Sequence, residues 1–436
     1  MLPSILNWSQ LSDTERRAAL QRPAQADREA LYERVREIIR DVRARGDEAL
    51  LEYARRFDGA VLDALEVTAA EFSAAERALT PEERSALERA IHNVTRFHEA
   101  QRSAPLRVET SPGVVCERQS RPIDAVGLYV PAGVAPLPST AVMLAVPARI
   151  AGCPTRIICT PPRRDGSADP AVLSVAQLCG IERVFKVGGA QAIAAMAYGT
   201  ASVPKVDKLF GPGSAWVTAA KLLVANDPQG AALDLPAGPS EVLVIADESA
   251  NAQFVAADLL AQAEHSVDAH AVLLTPSLRF ANAVRDALAA QMAKLGRQET
   301  LSASLRHARF IVVGSVETAI ELSNAYAPEH LLLQVENPRA YLPNVRNAGS
   351  VFLGPWTPET MGDYCSGTNH VLPTYGFARA YSGLALADFQ RRMTIQELTA
   401  AGLRDLGPSA MTLARLEGLD AHANAVRVRL EHLGVA

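Results

Sequence analysis

Asp234–Asp268 runs DLPAGPSEVLVIADESANAQFVAADLLAQAEHSVD and divides into loop, strand, helix and loop. Glu241–Ala246 (EVLVIA) is an unbroken apolar run of strand length. Asn251–His265 has helical spacing, with Phe254, Val255, Leu259 and Leu260 on the side to be buried. Gln262 and His265 close that helix, three residues apart and so on one face. A Gln–His pair at a helix end is commonly plain polarity. It gains interest from three downstream stretches: Pro328-Glu329-His330, Gly362-Asp363-Tyr364 and Glu417-Gly418-Leu419-Asp420-Ala421-His422.

The same strand–helix texture extends in both directions. Upstream, strands are predicted over 125–130, 156–160, 184–187 and 206–210, each followed by a helix: 140–151, 170–179, 191–198 and 214–225. Downstream, strands are predicted over 270–275, 310–313, 330–335 and 350–353. Alternation of this kind implies parallel strands with right-handed crossovers. The fold class is therefore α/β: two tandem Rossmann-like parallel-sheet domains, with an N-terminal arm and a small C-terminal helical domain. Residues 1–26 read as the arm. From Asp27, Leu31, Val35, Ile38, Ile39 and Val42 recur at helical spacing, Gly46 offers a left-handed cap, and a second helix follows to Phe57. Thr80-Pro81-Glu82-Glu83 carries a full helix-start signal. His92 and His98 on that helix read as surface residues. The N-terminal helices are expected to pack on the downstream unit, giving a discontinuous domain of 27–127 and 236–383 around one of 128–235. Residues 355–384 read as a long functional loop. Helices are expected over 388–400 and 409–433, and 384–436 forms the C-terminal domain, a tail with too little apolar periodicity to bury itself.

A length of 436 residues suits two to four domains of about 150 residues each. The net charge of -5 comes from interspersed signs, with no basic stripe for nucleic acid. The start, MLPSILNWSQLSDTERR, has no basic segment leading into an apolar run, and no apolar stretch reaches the ~20 residues of a membrane span. The five cysteines include no CxxC pair, which disfavours a disulfide framework or thiolate cluster and suits a reducing cytoplasm.

Gly211-Pro212-Gly213-Ser214 and Gly188-Gly189-Ala190-Gln191 sit at strand-to-helix turns, where open α/β sheets bind ligands. Neither matches the dinucleotide fingerprint, and tight turns alone would explain the glycines. His265, His330, His370 and His422 are all in the second half; imidazoles with carboxylate or amide oxygens can make a zinc site, and no HExxH is present. Glu329-His330 puts an acid beside an imidazole. In an extended segment the two would point to opposite sides, serving two proton transfers or merely solvent.

The motifs GLYVPAG (127–133), VGGAQAIAA (187–195), KVDKLFGPGSAWVT (205–218), DLPAGPSEVLVIAD (234–247), AQAEHS (261–266), APEHL (327–331), GDYCSGTNHVLPT (362–374) and EGLDAHANAVRVR (417–429) occur in this order. The series resembles the histidinol dehydrogenase family, from about Asp27 to Val426. The resemblance implies oxidation of L-histidinol to L-histidine through the aldehyde, the last step of histidine biosynthesis, with NAD and one Zn²⁺ per subunit. It implies zinc ligands Gln262, His265, Asp363 and His422. It implies a substrate pocket of Ser240, Gln262, His265, His330, Asp363, His370, Glu417 and His422, with Glu329 and His330 as proton acceptors. Tyr129, Gln191 and Ser214 would touch NAD. It further implies a homodimer whose C-terminal segment crosses over, so that Glu417 and His422 complete the partner's site. Two positions depart from the family pattern: Ser214 stands where Asn is common, and Ala132 where a second Gly is. A cysteine thiohemiacetal, on Cys365 or Cys153, is the rival route for the aldehyde step. A zinc dehydrogenase of another small alcohol, such as a sulfonated diol, and a non-catalytic zinc-binding protein are the other readings.

Overall fold

A computed structural model describes residues 2–22, 28–132, 135–236 and 238–435. Residues 23–27, at the junction of arm and first helix, and Gly133 and Ala237, in two of the quoted motifs, lie outside them. The described strands are β1 (Ile5–Asn7), β2 (Leu106–Ser111), β3 (Val114–Pro122), β4 (Ala125–Tyr129), β5 (Thr155–Thr160), β6 (Arg183–Lys186), β7 (Lys208–Phe210), β8 (Ala232–Leu233), β9 (Glu241–Ala246), β10 (His270–Thr275), β11 (Arg309–Val312), β12 (His330–Gln334), β13 (Ser350–Leu353) and β14 (Gln390–Leu398). Two compact units result. One comprises residues up to Ala100 and Ile123–Phe389, the other Gln101–Pro122 and Gln390 onward.

The larger unit holds two all-parallel sheets, ordered β6-β5-β4-β7-β8 and β1-β11-β10-β9-β12-β13. Leaving β1 aside, each follows the order 3-2-1-4-5, the doubly wound Rossmann order without its sixth strand, with its chain reversal beside the first strand. β9 is buried throughout because both its faces are covered. Val242, Val244 and Ala246 pack with the Ala252–Ala263 and Leu278–Met292 helices, while Leu243 and Ile245 pack with Val316–Tyr326. That alternation is the period of two of a pleated strand. Phe254 departs from the expected buried stripe: it is 37% exposed, with its ring 6.0 Å from that of Trp356. The arm has no core of its own, as read. It borrows one, since Ile5–Asn7 pairs with Phe310–Val312 as an edge strand.

The N-terminal helices pack on the five-stranded sheet, not on the downstream one. Val35, Ile38, Ile39 and Val42 of Arg28–Arg45 join Ile157, Ile193 and Ala220 on one face. Ala75, Ile91 and Val94 join the Pro138–Ala151 and Pro170–Leu178 helices on the other. The cause is visible in the crossover helices themselves. Pro138–Ala151 is buried on nearly every side, and a helix apolar all round needs a second layer over it. Thr80 forms the expected capping box with Glu83, a contribution of about 1 kcal/mol. His98 is fully buried, against expectation, with Nδ1 donating to the Val94 carbonyl at 2.8 Å. His92 is exposed, as read.

The smaller unit is an antiparallel sheet, β14-β3-β2, with two helices, Ala400–Leu416 and Asp420–His432. The expected helix over 388–400 is replaced by β14, which pairs with β3 along its whole length from Gln390↔Pro122 to Leu398↔Val114. The expected long helix over 409–433 is broken at Glu417-Gly418-Leu419, where Gly418 has φ 71°. Among the described residues no helix is long and apolar enough to cross a membrane.

Candidate active site

β12 is the element that delivers the first chemical groups. His330 is its first residue and Glu329 precedes it, after Ala327 in a left-handed conformation (φ 55°). The turn makes the two side chains converge, not diverge as an extended segment would. His330 Nδ1 lies 3.6 Å from Glu329 Oε2. Both attach to the backbone of Glu241, the first residue of the neighbouring β9. The Glu241 N–H donates to Glu329 Oε2 at 2.9 Å, and His330 Nδ1 donates to the Glu241 carbonyl at 3.2 Å. Nε2 of His330 is left buried without a partner, 3.7 Å from Asp363 Oδ1.

The Glu359–Tyr364 helix brings up the other side. Gly362 lets it approach β13, since a Cβ there would stand 2.5 Å from the Phe352 ring. That places Asp363 beside His330, with Glu359 Oε1 3.8 Å from His330 Nδ1. Asp258, on the Ala252–Ala263 helix, accepts the Glu359 N–H. The same helix carries Gln262 in its last turn and leads into His265. Ligand atoms of His265, Glu359 and Asp363 lie within 4.8 Å of one another. His370 donates from Nδ1 to the Asp363 carbonyl at 2.7 Å, and its Nε2 lies 3.3 Å from Thr140 Oγ1. Ser240 is the residue before β9.

Burial drives the electrostatics. It pushes the Glu329 carboxyl up to about 8, against the pull of His330. Burial alone would lower His330, but Glu359, Glu329 and Asp363 outweigh it and push the imidazole up to about 10. Glu359 is driven well above the carboxylate range by burial. Both its oxygens, and both amide atoms of Gln262, are buried without hydrogen-bond partners. Buried polar groups are rarely left so. The orphaned donor set of imidazole, carboxylate and amide oxygen fits a divalent cation of zinc type. Glu359 was missed by the sequence reading, because PETMGD gives no sign that its glutamate turns inward. The other compact unit carries Glu417, which caps the end of Ala400–Leu416, and His422, in the first turn of Asp420–His432.

A second cluster gathers at the carboxyl ends of the five-stranded sheet. Tyr129 ends β4, and its hydroxyl accepts the N–H of Gly189, which opens the helix bearing buried Gln191. Burial pushes the Tyr129 hydroxyl up to about 12, so it stays protonated. After β7, Gly211 has φ 119°, and a Cβ there would stand 2.2 Å from the Tyr129 carbonyl oxygen. Ser214 follows at the helix start, exposed, with its hydroxyl unused as a cap. The turn lies at the reversal between β4 and β7, where open sheets take ligands. Cys153 is no nucleophile in waiting: burial pushes its thiol up to about 11, and it donates to the Phe389 carbonyl.

The histidinol dehydrogenase family model matches residues 20–430, almost the whole chain. The chain belongs to the histidinol dehydrogenase family. Within it, the histidinol dehydrogenase of Xanthomonas campestris pv. campestris (strain 8004) is 56% identical over 98% of this chain and 99% of its own. That of Vibrio vulnificus (strain YJ016) is 54% identical over 98% of each. A solved histidinol dehydrogenase from Elizabethkingia anophelis superposes with a TM-score of 0.95 at 44% identity, covering 100% of this chain and 99% of that one. Membership in this family of oxidoreductases accords with two Rossmann-like sheets, each bringing polar groups to one edge.

Proposed function

We propose that the protein is a zinc- and NAD-dependent histidinol dehydrogenase, oxidising L-histidinol to L-histidine through L-histidinaldehyde as the last step of histidine biosynthesis. The observation that carries this reading is the pair Glu329–His330, pinned on one peptide backbone beside Asp363, with Nε2 of His330 unpartnered. Gln262, His265, Asp363 and His422 of the partner subunit would hold Zn²⁺, which when bound holds the substrate's imidazole and amine. NAD against Tyr129, Gln191 and Ser214 supplies the hydride acceptor. Ser240, His370 and the partner subunit's Glu417 would line the substrate pocket. In the first oxidation the carbinol carbon gives up a hydride and the hydroxyl a proton, which His330 accepts at Nε2 when its imidazole is neutral, so this step gains as pH rises toward the raised value of about 10. The aldehyde then takes up water. Glu329, whose carboxyl burial pushes up to about 8, takes in its ionised form the proton of that water, and a second hydride leaves to give the carboxylate. Five free thiols support work in a reducing cytoplasm. The reading includes a homodimer with an exchanged C-terminal segment.

An NADH absorbance assay with histidinol tests this reading. Two NADH per histidinol are expected, with activity lost to a chelator and restored by zinc. Glu329→Gln and His330→Asn should each lower turnover by about 10²-fold or more. Near-normal turnover in both, with zinc still bound, would show the assignment to be wrong.

A further inference from the structure

A buried polar network that none of the roles above uses ends on the Glu329–His330 pair. Arg22, in the N-terminal segment, donates from Nε and Nη2 to the two carboxylate oxygens of Glu241, at 2.5 and 2.7 Å. The same Nη2 donates to the carbonyls of Tyr326 and Ala327, at 3.0 and 3.3 Å. Its guanidinium lies 3.8 Å from the centre of the Tyr326 ring. The Tyr326 hydroxyl donates to Glu241 Oε2 at 2.9 Å and lies 2.7 Å from Nδ1 of buried His270. A buried ion pair of this kind is weak evidence of stabilisation, because desolvation offsets most of its Coulomb attraction.

What the network holds is more informative. The Glu241 side chain is fixed by Arg22 and Tyr326, while its N–H and carbonyl hold Glu329 and His330 respectively. The carbonyl accepts from Nδ1, so the imidazole, when neutral, carries its proton there and has Nε2 free. Arg22 also ties down the other approach to the pair. Ala327 is a non-glycine residue in the left-handed region, a conformation that persists only where its surroundings enforce it. Its carbonyl is one of those Arg22 holds.

We propose that Arg22 and Glu241 are positioning residues for the reaction: they fix the Glu329–His330 pair and the imidazole tautomer through the Glu241 backbone and the Ala327 turn. The inference rests on the reading of Glu329 and His330 as the proton-transfer pair. A misplacement of about 1 Å can cut a rate about 100-fold. Arg22→Gln is therefore expected to lower kcat for histidinol oxidation by about tenfold or more, with KM for histidinol and zinc content unchanged.

The deciding experiment is a double-mutant cycle on kcat in the full-length, zinc-loaded enzyme: wild type, Arg22→Gln, His330→Asn and the double variant. If Arg22 acts through the pair, its substitution should cost little further once His330 is gone. An equal fractional loss in both backgrounds would overturn the inference, as would a lowered Tm with wild-type kcat. Tyr326→Phe, which removes one hydroxyl, is the milder probe should Arg22→Gln fold poorly. It should lower kcat in the same direction, and unchanged kcat would count against the proposal. The underlying reading fails separately: wild-type turnover in both Glu329→Gln and His330→Asn would remove it, and this inference with it.

Discussion

His270 shows how one buried side chain makes stability depend on acidity. It is 2% exposed, and burial, with Arg309 and Arg22 adding, pushes its imidazole down to about 3. Below the ordinary histidine value of about 6.5 the unfolded chain takes up a proton that the folded chain refuses. Its contribution is fully present above that pH and is lost as pH falls toward 3. The slope is at most about 1.4 kcal/mol per pH unit. His270→Gln, which can still meet the Tyr326 hydroxyl, should therefore remove one proton's share of the decline between pH 6.5 and 5. Urea unfolding curves at several pH values would check this, and parallel pH profiles for variant and wild type would refute it. Single residues were also where the sequence was least legible. Glu359 and His98 look like ordinary surface residues in their helices. Their surroundings come from far along the chain: His98 Nε2 meets Asn369, and Glu359 meets His330.

Elements were legible where their own side chains decide them. The apolar runs of β4, β5, β9 and β10 and the capping box at Thr80 are local signals, and each element forms where it was read. β14 is the counterexample. QRRMTIQEL is rich in helix formers and almost wholly exposed, so no periodicity marks it as a strand. Its conformation is imposed by the backbone ladder to β3, a partner some 270 residues earlier, as the register shows. Turn geometry at Gly211 can be tested directly. Gly211→Ala should cost about 1–3 kcal/mol, because φ 119° is strained for any side chain and the new Cβ meets the Tyr129 carbonyl. It should also raise KM for NAD by shifting Ser214. A thermal melt and an NAD titration that both matched wild type would argue against that role for the turn.

At the scale of the molecule, the α/β class and the two parallel sheets followed from alternation of strand and helix, but the second layer of N-terminal helices did not. The reason is that alternation reports neighbours along the chain, and packing of one helix on another is long-range. The proposed exchange of the C-terminal segment has its own test. Glu329→Gln and His422→Asn are each expected to be inactive alone. When both are unfolded and refolded together, half the dimers should be mixed, and each mixed dimer would own one intact site. About a quarter of wild-type activity should return. No recovery, with mixed dimers demonstrated, would sink the exchange. The two clusters also use opposite edges of their sheets. Tyr129, Gln191 and Ser214 stand where strands end and helices begin; Gln262, His265 and His330 stand where strands begin and a helix ends. Peptide dipoles are aligned along each helix, so the first edge is faintly positive and the second faintly negative. One polypeptide thereby offers a field suited to a pyrophosphate at one rim and a field suited to a metal cation at the other, before any charged side chain is counted.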